Sequence, residues 1–226
     1  MAKVFAKIAR PSPDVVAEFR CARLDQIVKS LPRDRLMDMA IKPLGGSAVR
    51  IVGPAVTVAA GTANPMLAVV ATGVARPGDV IVIAAGGDSS GYTWGGGLTL
   101  SAQNVGCEGV VVDGLVIDAD SILERSVPVF CRGATLHPPA PVPPGSINVE
   151  VVCGGAKVCP GDLIVGALDG VCVIPREELS ERLAQAITES QRIEANIAKL
   201  QATKGTIFDL RGGRQMARDL GLEWVD

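Results

Sequence analysis

Short runs of β-branched residues alternate with glycine-rich turns through the middle of the chain, and helical patterns flank them. The runs DVIVIAA and GVVVDG, which begin at Asp79 and Gly109, are typical of strands buried on both faces. The segment SAVRIVGPAVTVAAG indicates two strands separated by a bend at Pro54. The pattern therefore predicts a body of mixed strands at about residues 48–175.

One helix is predicted on each side of this body. Ser12 can cap an N-terminal helix at about residues 12–31, where apolar residues recur at helical spacing. A long polar helix is predicted at about residues 177–202, with an interrupted apolar stripe that should pack on the body or on another subunit. We expect all of these elements to form a single domain, residues 1–226.

Two glycine-rich turns follow the first buried run. The strand is expected to stop at Gly86, where the backbone must turn sharply. The later turn, WGGGL, opens a segment whose apolar residues Leu98, Ala102 and Val105 have helical spacing. Its glycines would then lie at a helix N-terminus, where unpaired N–H groups attract carboxylates and phosphates.

Two aspartates follow the second buried run. Asp118 and Asp120 come just after GVVVDGLV, at a place where short loops commonly carry chemistry. Either aspartate can cap a helix at DADSILERS, so helix capping and metal binding both remain open for Asp118. A metal ion or a substrate would fit between this loop and the glycine turn.

Composition narrows the class of protein without choosing a reaction. The formal net charge of −2 gives no electrostatic footprint for nucleic acid, so we expect no direct nucleic-acid binding. The apolar stretch at residues 56–74 is interrupted by glycine, asparagine and proline, which excludes a membrane span there. The six cysteines form no CxxC pair and the N-terminus has no apolar signal core, so we expect reduced thiols in a cytoplasmic protein. Cys153 and Cys159 flank GGAKV, and we expect them to be packing residues, with a disulfide or a metal role as the alternatives.

Several other polar residues are given structural roles. Asp79 and Asp162 belong to two similar PGD turns. Trp94 is expected to pack beside its loop, with contact to a substrate as the alternative. Asp88 is either a turn residue or a water-bridged metal contact. His137, the only histidine, lies in a proline-rich loop, so a histidine-based zinc site or a Ser-His-Asp triad would have to be built around this one residue.

The order and spacing of these motifs resemble the RraA-like family. The resemblance rests on PGDVIVI, WGGGL, GVVVDGLVIDADSI and a later stretch that runs from VPVFCRGATLHPP to GDLIVGALDGVCVIP, and together these cover residues 77–175. The family includes 4-hydroxy-4-methyl-2-oxoglutarate aldolases, oxaloacetate decarboxylases and regulators of ribonuclease E activity. The resemblance implies an α/β fold, a swivelling β/β/α domain with a C-terminal helix, assembled as a homotrimer or hexamer.

The resemblance also assigns roles in a site. Asp118 would be the catalytic residue that holds Mg²⁺ or Mn²⁺, directly or through its waters. The N–H groups of a substrate-binding loop, Gly95, Gly96, Gly97 and Leu98, would take the carboxylate of a small 2-keto acid. These roles imply a metal-dependent lyase that cleaves or decarboxylates its substrate.

Two positions depart from the family pattern. Ile117 precedes Asp118 where the aldolases have a substrate-binding arginine, and the chain has WGGG where they have WGEL. Losing one preorganised donor to a developing negative charge commonly costs about 100- to 1000-fold in rate. Arg132, Arg50 and Lys157 are the candidate cations that could replace the arginine from within the chain, and a neighbouring subunit is another source.

Two functions therefore stay open. The first is the lyase, releasing pyruvate from a 2-keto acid. The second is a catalytically inactive binding protein that regulates a ribonuclease or another partner, an alternative favoured by the loss of both the arginine and the glutamate.

Overall fold

The protein is described by a computed structural model that covers residues 1–29, 31–46, 48–139 and 144–225. The α-helices within these ranges are α1 (Pro13–Cys21), α2 (Leu24–Val28), α3 (Pro65–Thr72), α4 (Gly96–Val105), α5 (Ala119–Leu123), α6 (Leu179–Thr203), α7 (Ile207–Leu210) and α8 (Gly213–Asp219). The strands are β1 (Lys42–Pro43), β2 (Ile51–Ala59), β3 (Val80–Trp94), β4 (Gly109–Val116), β5 (Val129–Cys131), β6 (Gly133–Ala134), β7 (Ser146–Ile147), β8 (Val151–Cys153), β9 (Ala156–Val158), β10 (Leu163–Ala167) and β11 (Gly170–Ile174).

The main sheet has the strand order β1-β5-β4-β3-β2-β10-β11 and curls until its two ends approach each other, which leaves a nearly closed barrel. Its centre, from β2 through β3 and β4 to β5, is parallel, whereas β10 joins β2 and β11 antiparallel. The predicted α/β fold with a C-terminal helix is confirmed, and that helix is α6.

The expected bend at Pro54 is wrong as a strand boundary. β2 runs unbroken from Ile51 to Ala59. Its first part pairs with β10 and its second part pairs with β3, so Pro54 lies where the strand changes neighbours. A residue without an N–H group is tolerated at such a point because it removes only one bond of the ladder.

The expected end of the next strand at Gly86 is also wrong. Gly86 and Gly87 have positive φ angles of 68° and 72°, but β3 continues beyond them to Trp94. Its register against β4 shifts between Ile83 and Asp88 and twice more before Trp94. Because bulges bend a strand without ending it, the glycines re-aim β3 toward the glycine turn.

The N-terminal helix predicted at residues 12–31 is two helices. α1 ends at Cys21 because Ala22 is extended, with ψ at 141°. The Arg50 guanidinium donates to the carbonyl oxygens of Phe19 and Ala22, and these bonds satisfy acceptors that an ended helix leaves free. Helical periodicity alone does not reveal a break imposed by a residue so far along the chain.

Two groups of helices cover different parts of the sheet. α3, α4 and α5 pack over the cluster that contains Val56, Ile81, Val112 and Trp94. α1, α2 and α6 pack over a separate cluster around Leu163 and its neighbours on β10 and β11. The first group carries the glycine turn and Asp118.

The two PGD aspartates have the predicted turn roles. Asp79 accepts bonds from the backbone N–H of Arg76 and from the guanidinium of Arg10. Asp162 accepts from the N–H groups of Cys159 and Arg176, and burial raises its pKa. The Arg10 pair was not predicted, because the two residues are far apart in the sequence.

All six cysteines are free thiols. Cys153 is fully buried at the end of β8 and Cys159 lies just beyond β9, so these two thiols do not bond to each other. In the part of the chain that the structure describes, no helix combines the length and the apolar character needed to cross a membrane.

Candidate functional site

Trp94 anchors the glycine turn through the first turn of α4. This side chain is fully buried, and its indole N–H donates to the Thr99 hydroxyl at 2.7 Å. The Thr99 hydroxyl in turn donates to the carbonyl oxygen of Gly95 at 3.1 Å, and the Thr99 N–H donates to the same oxygen at 3.0 Å. Trp94 thus packs beside the loop as predicted and fixes the first turn of α4.

The N-terminus of α4 presents three backbone donors. Gly95 is the N-cap residue in an extended conformation, and the first intrahelical bond comes from Thr99. The N–H groups of Gly96, Gly97 and Leu98 therefore precede that bond and have no acceptor among the described residues. Gly97 is exposed and Leu98 is half-buried, whereas Gly96 is buried. The helix N-terminus is therefore open to solvent at Gly97, where its N–H group suits a carboxylate.

Asp118 lies at the end of β4 in the left-handed conformation, with φ at 57° and ψ at 47°. It occupies the N-cap position of α5, yet its carboxylate makes no capping bond. Only its backbone serves the helix, because its carbonyl oxygen accepts from the N–H of Ile122 at 3.0 Å. An exposed carboxylate on a sterically disfavoured backbone, free of the capping role, is available to a ligand.

The glycine turn and the Asp118 loop touch each other. The N–H of Ile117 donates to the carbonyl oxygen of Trp94 at 2.9 Å, which joins the two loops. A Cβ placed on Gly95 would lie 3.0 Å from Cγ2 of Ile117 and 3.7 Å from Oδ2 of Asp118. The residues singled out from the sequence thus meet at the carboxyl edge of the parallel strands. We call this place, formed by residues 95–98 and 117–118, the notch.

The contact between the glycine turn and the Asp118 loop requires a residue without a side chain at Gly96. A Cβ there would lie 2.5 Å from the Ser121 hydroxyl oxygen and 3.5 Å from Cβ of Asp118, whereas a Cβ on Gly97 would meet nothing within 4 Å. We expect Gly96→Ala to push α5 and Asp118 away from the loop and to cost about 1–3 kcal/mol of unfolding free energy. Urea unfolding measures this cost.

Gly97→Ala is the matched control and should change the unfolding free energy by less than about 0.5 kcal/mol. Ser121→Gly combined with Gly96→Ala should restore most of the loss. Equal stability of the two alanine variants would show that the loops are not packed as described.

Two of the three candidate replacement cations are bound elsewhere. Arg50 caps the end of α1 through the carbonyl oxygens described above. Lys157 forms an ion pair with Glu150 at 2.7 Å, next to the β8–β9 hairpin. Neither side chain contacts the notch.

Arg132 lies at the same edge of the sheet but on its other face. Its Nε donates to Asp113 at 2.6 Å and its Nη1 donates to Asp38 at 2.8 Å. Val112 packs in the cluster beneath α4 and α5, whereas Val111 packs in the cluster on the other face of the sheet. Asp113 is two residues after Val111 on β4 and therefore lies on the face away from those helices. Arg132 therefore does not replace the arginine beside Asp118.

This Arg132 cluster was missed from the sequence. Asp113 is buried and also accepts from the N–H of Gly154 at 2.9 Å. The Ala40 N–H and then the Arg132 guanidinium lower the pKa of Asp38. The only local signal was an aspartate inside an apolar strand, which indicates a buried partner without naming it.

Asp88 has the geometry of a turn residue. Its carboxylate accepts from the Thr62 hydroxyl, from the N–H of Ala63 and from both the N–H and the hydroxyl of Ser90. These bonds, led by that of Thr62, hold its pKa well below the usual range. Asp88 was given two interpretations, a turn residue or a water-bridged metal contact, and these four bonds fit the turn residue.

His137 is exposed, and its carbonyl oxygen accepts from the N–H of Tyr92.

Within the described residues, no three His, Cys, Asp or Glu side chains converge on a point that could hold a metal ion. Asp118 offers one exposed carboxylate. Mg²⁺ commonly keeps several waters and takes one or two protein carboxylates together with substrate oxygens. The notch therefore fits a hydrated Mg²⁺ or Mn²⁺ and does not fit a tightly caged ion.

Known proteins are similar to this chain in sequence and in fold. A family profile described as "RraA-like: Aldolase/RraA" matches residues 21–173. The chain belongs to the RraA-like family. The matched region holds both loops of the notch and ends before α6.

Two relatives are similar to the chain in sequence. A protein of Halalkalibacterium halodurans named "Putative 4-hydroxy-4-methyl-2-oxoglutarate aldolase" is 37% identical over 173 residues, which cover 76% of this chain and 82% of that protein. An uncharacterized protein of Methanocaldococcus jannaschii is 34% identical over 188 residues, covering 79% of this chain and 90% of its own.

A solved RraA-like structure agrees with the fold. It is that of Streptomyces coelicolor RraAS2, described as "an unusual member of the RNase ES inhibitor RraA protein family". It superposes with a TM-score of 0.74 at 28% identity and covers 83% of this chain and 98% of that one. The family thus contains proteins named for an aldolase activity and proteins named for ribonuclease inhibition.

Proposed function

We propose that the protein is a divalent-metal-dependent lyase acting on a small 2-keto acid, of the 4-hydroxy-4-methyl-2-oxoglutarate aldolase or oxaloacetate decarboxylase type. The observation that carries this proposal is the notch itself. The carboxylate of Asp118 makes no capping bond to α5. It lies beside three backbone donors that have no acceptor among the described residues. A carboxylate for a metal and N–H groups for an anion are the two parts that such a substrate requires.

The chain's own residues have distinct tasks in this proposal. Asp118 holds the metal or its waters, and the left-handed backbone fixes where its carboxylate points. The N–H groups at the start of α4 bind and orient the substrate carboxylate. A bound Mg²⁺ or Mn²⁺ supplies Lewis-acid stabilisation of negative charge.

Binding of oxalate tests the proposal without requiring turnover. Oxalate is a planar dianion that resembles the enolate of pyruvate, and calorimetry can follow its binding with Mn²⁺ or with EDTA. Binding that requires Mn²⁺ and is lost in Asp118→Asn is expected. Binding that is unaffected by EDTA, or no binding at all, would contradict a metal-dependent keto-acid site.

Ile117 should limit the rate. Cγ2 of Ile117 already lies against the position of Gly95, so an arginine there would begin beside the anion-binding turn. We expect Ile117→Arg to raise keto-acid lyase activity by about 100-fold, the size of effect one preorganised donor commonly has. Pyruvate release at saturating metal measures the gain.

Ile117→Met is the control for this substitution, because it changes the shape of the side chain without adding charge. No gain from arginine over methionine would show that the pocket has diverged at more than this position.

The second candidate is a non-catalytic regulator of a ribonuclease. It is favoured by Ile117 and by the engagement of Arg50 and Lys157 with other partners. A pull-down of ribonuclease activity from lysate distinguishes the two functions. Specific capture combined with no metal-dependent oxalate binding would favour the regulator, whereas the reverse pattern favours the lyase.

A further inference from the structure

Ser121 lies beside the notch and has no task in the proposed function. It belongs to the short helix α5, three residues after Asp118. A Cβ on Gly96 would lie 2.5 Å from Oγ of Ser121 and 2.7 Å from its Cβ, closer than to Cβ of Asp118 at 3.5 Å. The Ser121 hydroxyl therefore borders the first turn of α4, which carries the backbone donors of the notch.

The hydroxyl of Ser121 is not engaged by the protein. Hydroxyls in helices commonly donate to a carbonyl oxygen one turn earlier, and Ser101 of α4 donates to Gly97 in this way at 3.0 Å. In the described part of the chain, the Ser121 hydroxyl makes neither this bond nor any other hydrogen bond. Its capacity as a donor is therefore unused.

The oxygen of this hydroxyl is also open to solvent. Among the described residues, the buried side-chain oxygens that lack a partner belong to Thr93 and Asn148. Ser121 is only partly buried, and its oxygen is not one of these two. A ligand at the notch can therefore reach the hydroxyl without displacing a protein partner.

The side chains of the notch itself include no donor. Its residues, 95–98 and 117–118, contribute the apolar side chains of Leu98 and Ile117 and the acceptor oxygens of Asp118. A substrate carboxylate placed beside the Asp118 carboxylate is repelled by it, so the substrate requires donors as well as a bridging cation. The Ser121 hydroxyl lies where such a side-chain donor is needed.

We propose that Ser121 contacts the substrate, and that its hydroxyl donates a hydrogen bond to the carboxylate held by the N–H groups of α4. This inference deepens the proposed function and rests on it. A hydroxyl is a neutral, single donor, unlike a forked guanidinium. Ser121 therefore orients the anion and does not supply the positive charge that is missing at Ile117.

Ser121→Ala tests this contact, because it removes the hydroxyl and keeps the Cβ that packs against Gly96. Calorimetry measures oxalate binding with Mn²⁺, and electron paramagnetic resonance measures Mn²⁺ binding without oxalate. We expect oxalate to bind at least about tenfold more weakly, as for the loss of one hydrogen bond to a charged group. The affinity for Mn²⁺ alone should change by less than about twofold, as for a surface substitution.

Two further variants separate the hydroxyl from packing. Ser121→Cys keeps the size of the side chain and replaces the hydroxyl with a weak donor, so it should resemble Ser121→Ala. Ser126→Ala is the control, since Ser126 is an exposed serine beyond α5 whose hydroxyl bonds to Gln103 at 3.1 Å. Its oxalate affinity should equal that of the wild type, and urea unfolding confirms that every variant is folded.

Three results with oxalate would overturn the contact. The first is an unchanged oxalate affinity in Ser121→Ala. The second is an equal loss of affinity for Mn²⁺ alone, which would place the hydroxyl at the metal and not at the anion. The third is an equal loss of oxalate affinity in Ser126→Ala, which would show that the effect is not specific to the notch.

A metal-free readout separates this contact from the lyase proposal. The amide signal of Gly97, identified by its absence in Gly97→Ala, is followed by nuclear magnetic resonance during titration with pyruvate in EDTA. We expect Ser121→Ala to require at least about tenfold more pyruvate for the same shift. That result without Mn²⁺-dependent oxalate binding would support the contact and overturn the lyase. An equal shift in both proteins would overturn the contact, and the absence of both pyruvate and oxalate binding would overturn both proposals.

Discussion

Replacing Asp118 with asparagine is expected to reduce metal-dependent keto-acid turnover by at least about 100-fold, since even the outer partners of metal ligands are commonly worth 10- to 100-fold. Asparagine keeps the shape of the side chain and tolerates the left-handed backbone that this position requires. The loss would therefore report the missing negative charge. The same variant should bind Mn²⁺ more weakly, which electron paramagnetic resonance of the free ion measures.

Asp120→Asn is the matched control for Asp118→Asn. Asp120 is an exposed carboxylate two residues further on, in the first turn of α5. We expect its turnover to stay within about threefold of the wild type, as for a surface substitution. Retained turnover and unchanged Mn²⁺ affinity in Asp118→Asn would remove Asp118 from the mechanism.

The largest effect on stability is expected at Asp79. Its side chain is fully buried and accepts from Nε and Nη2 of Arg10, both at 2.7 Å, and from the N–H of Arg76 at 2.7 Å. Breaking a buried ion pair by removing one partner typically costs about 3–5 kcal/mol. That is a large share of the 5–15 kcal/mol by which whole domains are stable, so Asp79→Asn should lower the urea midpoint strongly.

Asp162→Asn provides the comparison, because the second PGD turn has the same sequence without the bidentate arginine. Asp162 accepts two backbone N–H bonds, so its replacement should cost about 1 kcal/mol. Equal losses at the two positions would show that the Arg10 pair adds no stability. Arg10→Ala should resemble Asp79→Asn, since it leaves a buried carboxylate without its partner.

The sequence predicted the elements whose cause is local. Runs of β-branched residues gave the parallel strands, and glycines followed by helical apolar spacing gave the start of α4. The proximity of Asp118 to the glycine turn follows from parallel strands, whose carboxyl ends share one edge of the sheet. The roles of these residues in binding metal and substrate stay predictions.

The features that were wrong or missed depend on contacts between distant residues. Arg50 bonds to the end of α1 although it lies in another part of the sequence. Arg10 and Arg132 form ion pairs with aspartates that are distant from them in the sequence. β3 continues past Gly86 and Gly87 because β4 pairs with it again after each bulge. Local periodicity carries no information about such partners.

The measurement that tests the central claim most directly is pyruvate release from oxaloacetate and from 4-hydroxy-4-methyl-2-oxoglutarate. Each substrate is assayed with Mg²⁺, with Mn²⁺ and with EDTA, and the rate of the metal alone is subtracted because metal ions decarboxylate oxaloacetate without protein. We predict turnover of at least one substrate above that background, abolished by EDTA. Rates equal to the metal-only background with both substrates would contradict the account of the notch as a lyase site.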